Sequence, residues 1–252
     1  MDLGLKGKAA VVTGGAGGIG REVVRRLAAE GCGSCILDLN VDLAEKIAAG
    51  VTAEGNARAI AVRCDVTKRA DVEAAFLAAV EEFGELHALI NSHQLWPTAW
   101  FTEITDEQWQ QAIDVNLTSY YLTCQAMVRH MLDRDVAGSI LNISSQAAFR
   151  GATTGHAHYA AAKAGILALT KSIARETAEK GITANALAPG MARTPATEEV
   201  LEKNPEEYIR RIPLRRIAEP EEVADVAVFL VSERARYMTG TTVDISGGML
   251  MR

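Results

Sequence analysis

Tyr159 and Lys163 lie four residues apart, a spacing that puts both side chains on one face of a helix. A tyrosine alone is a poor acid or base at neutral pH, because its free pKa is ~10. A lysine cation beside it stabilises the phenolate and lowers that value. Pairs of this kind also arise by chance on solvated helices, so the spacing needs company. It has company in Asn142-Ile143-Ser144-Ser145, which closes an apolar, β-branched run. Parallel sheets gather their reactive groups at the carboxyl ends of such strands.

A second constellation sits near the N-terminus. Thr13-Gly14-Gly15-Ala16-Gly17-Gly18-Ile19-Gly20 follows one short apolar run and opens an amphipathic stretch. Between a strand and a helix, glycines let the chain turn tightly and let backbone N–H groups approach a pyrophosphate, with the helix dipole behind them. Asp38 ends the next apolar run. A carboxylate there accepts hydrogen bonds from an adenosine ribose and repels a 2′-phosphate. The glycine loop itself carries no Lys or Arg. The cofactor expected is therefore NAD rather than NADP. Asp65 follows a third run, where it could sit near an adenine or cap a helix.

The elements that must position these groups alternate along the chain. Strands are predicted at 9–13, 35–38, 59–62, 88–91, 139–143, 183–187 and 242–245. Helices are predicted at 19–30, 43–54, 72–83, 107–132, 159–178 and 221–231. Strands alternating with helices imply a doubly wound α/β Rossmann fold, a parallel sheet of about seven strands covered on both faces. No repeat or linker divides residues 1–252, so one dinucleotide-binding and catalytic domain is expected. The long segment 194–216, polar with apolar interruptions, suits a lid over the site.

Over essentially its whole length the chain resembles the compact branch of the short-chain dehydrogenase/reductase family. The resemblance rests on the order of Thr13-Gly14-x-x-x-Gly18-x-Gly20, Asp65-Val66, Val115-Asn116, Asn142-Ile143-Ser144-Ser145, Tyr159-Ala160-Ala161-Ala162-Lys163 and Asn185-Ala186-Leu187-Ala188-Pro189-Gly190. It implies that Ser145 polarises the substrate oxygen, with Ser144 as the alternative. It implies that Tyr159 exchanges the proton, that Lys163 holds the nicotinamide ribose and tunes Tyr159, and that Asn116 supports a water chain to Lys163. Thr194 would contact the nicotinamide carboxamide. Cofactor contacts are expected at Gly14, Gly18, Ile19, Gly20, Asp38, Asp65, Val66, Asn91, Tyr159, Lys163, Pro189, Gly190 and Thr194. The activity implied is hydride transfer between a secondary alcohol and its ketone. The alternative is a non-catalytic NAD(H)-binding sensor on the same fold, since fold alone does not make an enzyme. An epimerase or dehydratase that retains NAD would usually carry a larger substrate domain.

The chain departs from the family after its fourth strand, where Asn91-Ser92-His93-Gln94 replaces the usual Asn-Asn-Ala-Gly. Gln94 adds bulk and a polar head where a glycine normally lies close to the cofactor. Substrate contacts are expected from His93, Gln94, Trp96, Ser145, Gln146, His156 and Met191, with Leu95 and Trp100 as further wall candidates. Aromatic walls would suit ring-shaped or aryl substrates.

Other function classes are disfavoured. The net charge is −6 and no Lys/Arg block occurs, which leaves no footprint for nucleic acid. No stretch reaches the ~18 apolar residues of a membrane helix, and the N-terminal residues do not read as a signal peptide, so a cytoplasmic location is expected. The histidines lack ligand spacing, so no metal is expected. Cys32 and Cys35 form a C-x-x-C without a second pair to complete a zinc site and without a helix opening at the motif. The apolar residues Ala126, Met127 and Met131 and the tail 249–251 suggest surface left for other subunits, and the family resemblance makes a homotetramer the expected assembly.

Overall fold

The computed structural model describes residues 2–55, 57–152 and 155–251. Seven strands form one parallel sheet: β1 (Ala9–Thr13), β2 (Gly33–Asp38), β3 (Ala59–Arg63), β4 (Ala88–Asn91), β5 (Gly138–Ile143), β6 (Ile182–Pro189) and β7 (Thr242–Ile245). Their order across the sheet is β3-β2-β1-β4-β5-β6-β7. The chain reverses its direction of growth between β1 and β4, and a crevice opens there beyond the carboxyl ends of the strands. Every residue of β1 and β4 is buried. Sequestration on both faces explains why these strands read as continuous apolar runs rather than alternating ones.

Helices cover both faces. α1 (Gly18–Ala29) and α10 (Pro220–Leu230) pack against one, where Val23, Val24 and Leu27 meet Val223, Ala227 and Val228 around Val12 and Ile90. α2 (Val41–Ala53) joins that layer through Ala44 and Ile47. On the other face α3 (Arg69–Phe83), α5 (Ser119–Asp133) and the long α7 (Ala157–Thr177) cover Val11, Leu89 and Ile140.

Two expectations need correction. The helix predicted over 107–132 is broken. α4 (Asp106–Ile113) is followed by a wide π turn over Asp114–Thr118 before α5 begins. Asn116 sits in that turn, and its Nδ2 donates to Ala112 O at 3.0 Å and to Leu95 O at 2.9 Å. The turn carries no glycine or proline to mark a break, which is why the sequence did not show it. Met127 and Met131 are also not free surface: both are essentially fully buried in the second core cluster. The exposed large apolar side chains of this region are instead Trp109, Tyr121 and Leu132.

The segment expected as a lid folds into two short helices, α8 (Pro195–Lys203) and α9 (Pro205–Arg211), following the four-residue α6 (Ala147–Arg150) and α7 in the chain. Leu201, Ile212 and Ile217 form a small separate core there, packed by Met191, Tyr208 and Met249. Among the described residues no helix is long and apolar enough to cross a membrane.

Candidate active site

Two connected cavities lie at the carboxyl ends of the strands. The first, of about 440 Å³, follows the glycine loop and is lined by Gly14, Ala16, Gly17, Gly18, Ile19 and Gly20 on one side, with Asp38, Val66, His93 and Thr194 among its other walls. Gly14 has φ +65, and a Cβ on it would come within 2.7 Å of the His93 backbone. A Cβ on Gly20 would overlap the Gly14 carbonyl. The loop therefore requires glycine at both positions for its own closure. The result is an open cradle at the N-terminus of α1. Asp38 accepts hydrogen bonds from Ala16 N at 3.0 Å and Asn40 N at 2.9 Å, so its carboxylate braces the loop while facing the cleft. No Lys or Arg lines this cavity among the described residues. The donor set, the cradle and the acidic wall fit an adenine dinucleotide.

Two expected cofactor residues are placed differently. The Asp65 carboxylate turns into its own loop, accepting from Thr67 Oγ1 at 2.6 Å and pairing with Lys68 at 3.2 Å. These bonds hold it below the usual carboxylate range. The Asn91 side chain is buried, donating to Asn142 Oδ1 at 2.9 Å and accepting from Thr123 Oγ1 at 2.9 Å. Their chain neighbours Val66 and Ser92 line the cleft.

The second cavity, of about 180 Å³, opens from the first at Ile19, Gln94 and Thr194. Its walls include Ser145, Gln146, His156, Tyr159, Pro189, Gly190 and Met191. It is smaller than the ~300–1,000 Å³ typical of pockets for drug-sized ligands. Trp96 and His156 stack with ring centroids 4.6 Å apart and form a flat wall, and His156 Nδ1 is tied to Pro97 O at 2.8 Å. Gln146 Oε1 is buried here without a hydrogen-bond partner among the described residues. Trp100, by contrast, is mostly exposed and lies outside the walls.

Within this cavity Tyr159 and Ser145 come together. Burial pushes the Tyr159 phenol up to about 12, and the nearby Ser145 hydroxyl offsets this only in part. The depression expected from Lys163 is therefore not what this site displays. Lys163 is itself fully buried, and desolvation pushes its ammonium down to about 7. Its Nζ lies 5.6 Å from the Tyr159 ring centroid. Ser144 resolves differently from its neighbour: its hydroxyl donates to the Lys163 backbone carbonyl at 2.8 Å and anchors β5 to α7. That leaves Ser145 as the serine facing the phenol. Asn116 does not contact Lys163 directly. Its amide is engaged with both backbone groups of Leu95, accepting from Leu95 N at 2.9 Å.

His93 is the clearest displacement from expectation. Its ring does not line the substrate cavity. Nδ1 lies 2.6 Å from Thr13 Oγ1 and Nε2 lies 2.6 Å from Ser119 Oγ. Burial, with the Lys163 charge adding to it, pushes its pKa down to about 3, so the imidazole is neutral. Its backbone still forms part of the cofactor cleft. Gln94, in contrast, reaches the reacting centre: Tyr159 Oη donates to Gln94 Oε1 at 3.0 Å.

Residues that sequence reasoning missed include Thr197, Tyr208, Arg211 and Met249, which reach the pocket from α8, α9 and the tail, and Tyr120, which lies behind Lys163. The C-x-x-C cysteines are both free and buried, and burial pushes each up to about 12, which makes them inert. No metal-ligand cluster occurs among the described residues.

The chain is similar to known proteins over nearly its whole length. Residues 14–250 match the family model described as Enoyl-(Acyl carrier protein) reductase. A 3-oxoacyl-[acyl-carrier-protein] reductase of Chlamydia pneumoniae is 36% identical over 249 residues, covering 99% of each chain. An uncharacterized oxidoreductase of Mycobacterium bovis is 39% identical, covering 97% of each. Among solved structures, a short-chain type dehydrogenase/reductase from Mycobacterium marinum superposes with a TM-score of 0.95 at 28% identity, covering 100% of this chain and 98% of that one.

Proposed function

The chain belongs to the short-chain dehydrogenase/reductase family, and from that premise we propose that it is an NAD(H)-dependent oxidoreductase interconverting a secondary alcohol and its ketone. The observation that carries this reading is the placement of Tyr159 and Ser145 in a pocket that opens directly into the glycine cleft, with Lys163 buried behind them. A pure binding module has no use for a paired phenol and hydroxyl at that junction.

Gly14, Gly18, Ile19, Gly20, Asp38, Val66, Pro189, Gly190 and Thr194 would hold the dinucleotide, and Lys163 would reach its nicotinamide ribose. Bound there, the nicotinamide supplies or accepts the hydride. Ser145 donates a hydrogen bond to the substrate oxygen and fixes its position. In ketone reduction Tyr159, kept as a neutral phenol by burial, delivers its proton to that oxygen. In alcohol oxidation the phenolate removes the proton, and the Lys163 ammonium offsets its charge. Preference for NAD rests on the acidic wall at Asp38, without Lys or Arg among the described residues.

The Trp96–His156 wall favours a flat or cyclic substrate. The named relatives suggest a 3-oxo compound as one member of the test set. A homotetramer in the cytoplasm remains the proposed setting, with the exposed Trp109, Tyr121 and Leu132 as the apolar surface available for assembly. Steady NADH formation across a panel of cyclic, aryl and 3-hydroxyacyl alcohols tests the reading. Binding of NADH with no turnover of any alcohol or ketone would favour the sensor instead.

A further inference from the structure

We propose that Tyr120 is a positioning residue for this reaction, whose buried phenol holds the Lys163 ammonium in place and sustains its charge. This deepens the dehydrogenase reading, on which the role of Tyr159 rests. Tyr120 lies on α5 and is fully buried. Its Oη is 3.1 Å from Lys163 Nζ, which also donates to Ile143 O at 2.9 Å. The same Oη lies 2.9 Å from His93 O and 3.0 Å from Ile143 O.

The geometry fixes the direction of each bond. A phenol has one proton, and the acceptors around this one are backbone carbonyls. Its oxygen is then left to accept from Lys163, the only donor it meets among the described residues. Carbonyls do not pass a proton onward, so Tyr120 is a static acceptor rather than a relay. Burial pushes its pKa well above the ordinary value, which also keeps it from acting as a base.

The surroundings make this bond matter. The titratable groups facing Lys163 are Tyr159 on its own helix, Tyr120 on α5 and His93 after β4, with Cys124 beyond Tyr120, all with burial favouring the neutral form. No carboxylate pairs with Lys163 among the described residues. The Tyr120 oxygen and the Ile143 carbonyl are thus what opposes desolvation of the ammonium. His93 supports the arrangement sterically: its ring packs on Tyr120 at 4.5 Å and is pinned from both nitrogens. The bulk introduced by His93 at the departure from the family pattern thereby bears on Lys163 through Tyr120.

Once one proton has left the Tyr159–Lys163 pair, the pair exists either as phenol and amine or as phenolate and ammonium. Only the second form removes a proton from an alcohol. Losing the Tyr120 acceptor raises the energy of the ammonium and shifts the pair toward the inactive form.

The test is Tyr120→Phe, which keeps the ring and removes the oxygen. Side-chain NMR of isotopically labelled lysine, recorded without cofactor or substrate, reads the Lys163 titration directly. Its midpoint should fall by roughly one pH unit, the size expected of one charge-assisted hydrogen bond. In the holoenzyme, kcat for alcohol oxidation should fall roughly tenfold with KM little changed. An unchanged or raised midpoint overturns the proposal, even if kcat falls, because that pattern marks a merely structural role. If Tyr120→Phe does not fold, the double variant His93→Ala/Tyr120→Val trims both packed rings together and is held to the same midpoint. The lysine titration needs no turnover, so it decides the role of Tyr120 even where the dehydrogenase reading fails.

Discussion

The hydroxyl of Tyr159 donates to the side-chain oxygen of Gln94 across 3.0 Å, and Gln94 is exposed to the cleft while Tyr159 is buried. The bond joins the proposed proton donor to the residue that departs most from the family pattern. An acceptor on the phenol proton favours the neutral form. It also occupies the direction in which a substrate oxygen must approach. A substrate must therefore displace Gln94 or work around it, and those that offer the amide a new partner lose less in doing so.

Gln94→Gly restores the family's residue and removes this competition. One neutral hydrogen bond contributes ~0.5–1.5 kcal/mol, so ratios of kcat/KM between good and poor substrates should change a few-fold. NADH affinity should stay near that of the wild type. An unchanged substrate ranking in steady-state kinetics would reduce Gln94 to a loop residue.

Tyr159→Phe should remove most turnover while sparing the cofactor site. The ring still packs against Ala147, Ala160 and Trp96, so the fold persists. General acid–base contributions are ~10²–10⁴-fold. Fluorescence titration with NADH should show a Kd close to normal, and activity within a few-fold of wild type would remove Tyr159 from the mechanism.

Asp38 makes a separable prediction. The wild type should prefer NAD(H) strongly over NADP(H), because a 2′-phosphate would meet a carboxylate and no cation. Asp38→Ala alone should weaken NAD(H) use and also loosen the loop, since Ala16 N loses its acceptor. Asp38→Ala with Leu39→Arg should move the preference toward NADP(H). Leu39 is exposed at the mouth of the cleft, so the added guanidinium can stay solvated. Equal use of both cofactors by the unaltered protein would contradict the role given to Asp38.

The parts of this molecule that repeat a local rule were readable in the sequence. The central strands β1 and β4 were found because a parallel strand buried on both faces is an unbroken apolar run, and the glycine loop because its closure admits no Cβ. The site elements that failed to show depend on long-range neighbours. His93 looked like a pocket residue, and only the fold brings Thr13 and Ser119 to its two nitrogens. Asp65 was open to two readings, an adenine contact or a cap, and its own loop holds it through Thr67 and Lys68. Tyr120 lies on the apolar face of a helix, where a phenol reads as core until Lys163 arrives from another helix. Met127 and Met131 passed for surface because periodicity gives a face without saying what covers it.

Lys163 offers the last prediction, in which stability and activity move in opposite directions. Its ammonium is buried without a carboxylate partner among the described residues, and desolvation lowers its pKa from 10.5 to about 7. At pH 7 and below, the folded protein therefore bears the penalty of burying a charge that the unfolded chain leaves in water. Between about 7 and 10.5 the unfolded chain still binds this proton and the folded one does not, so stability rises with pH across that window. Lys163→Met keeps the length of the side chain and removes the charge. The variant should be more stable than wild type by on the order of 1–3 kcal/mol near neutral pH, as when buried charges give way to apolar groups. Its advantage should shrink as pH rises from about 7 toward 10.5. Its turnover should be lost, because the phenolate of Tyr159 no longer has a cation beside it. Denaturant unfolding of both proteins across this range, set beside their kcat values, checks the two halves together. A variant less stable than wild type at neutral pH would show that the bonds to Tyr120 and Ile143 outweigh the desolvation of Lys163.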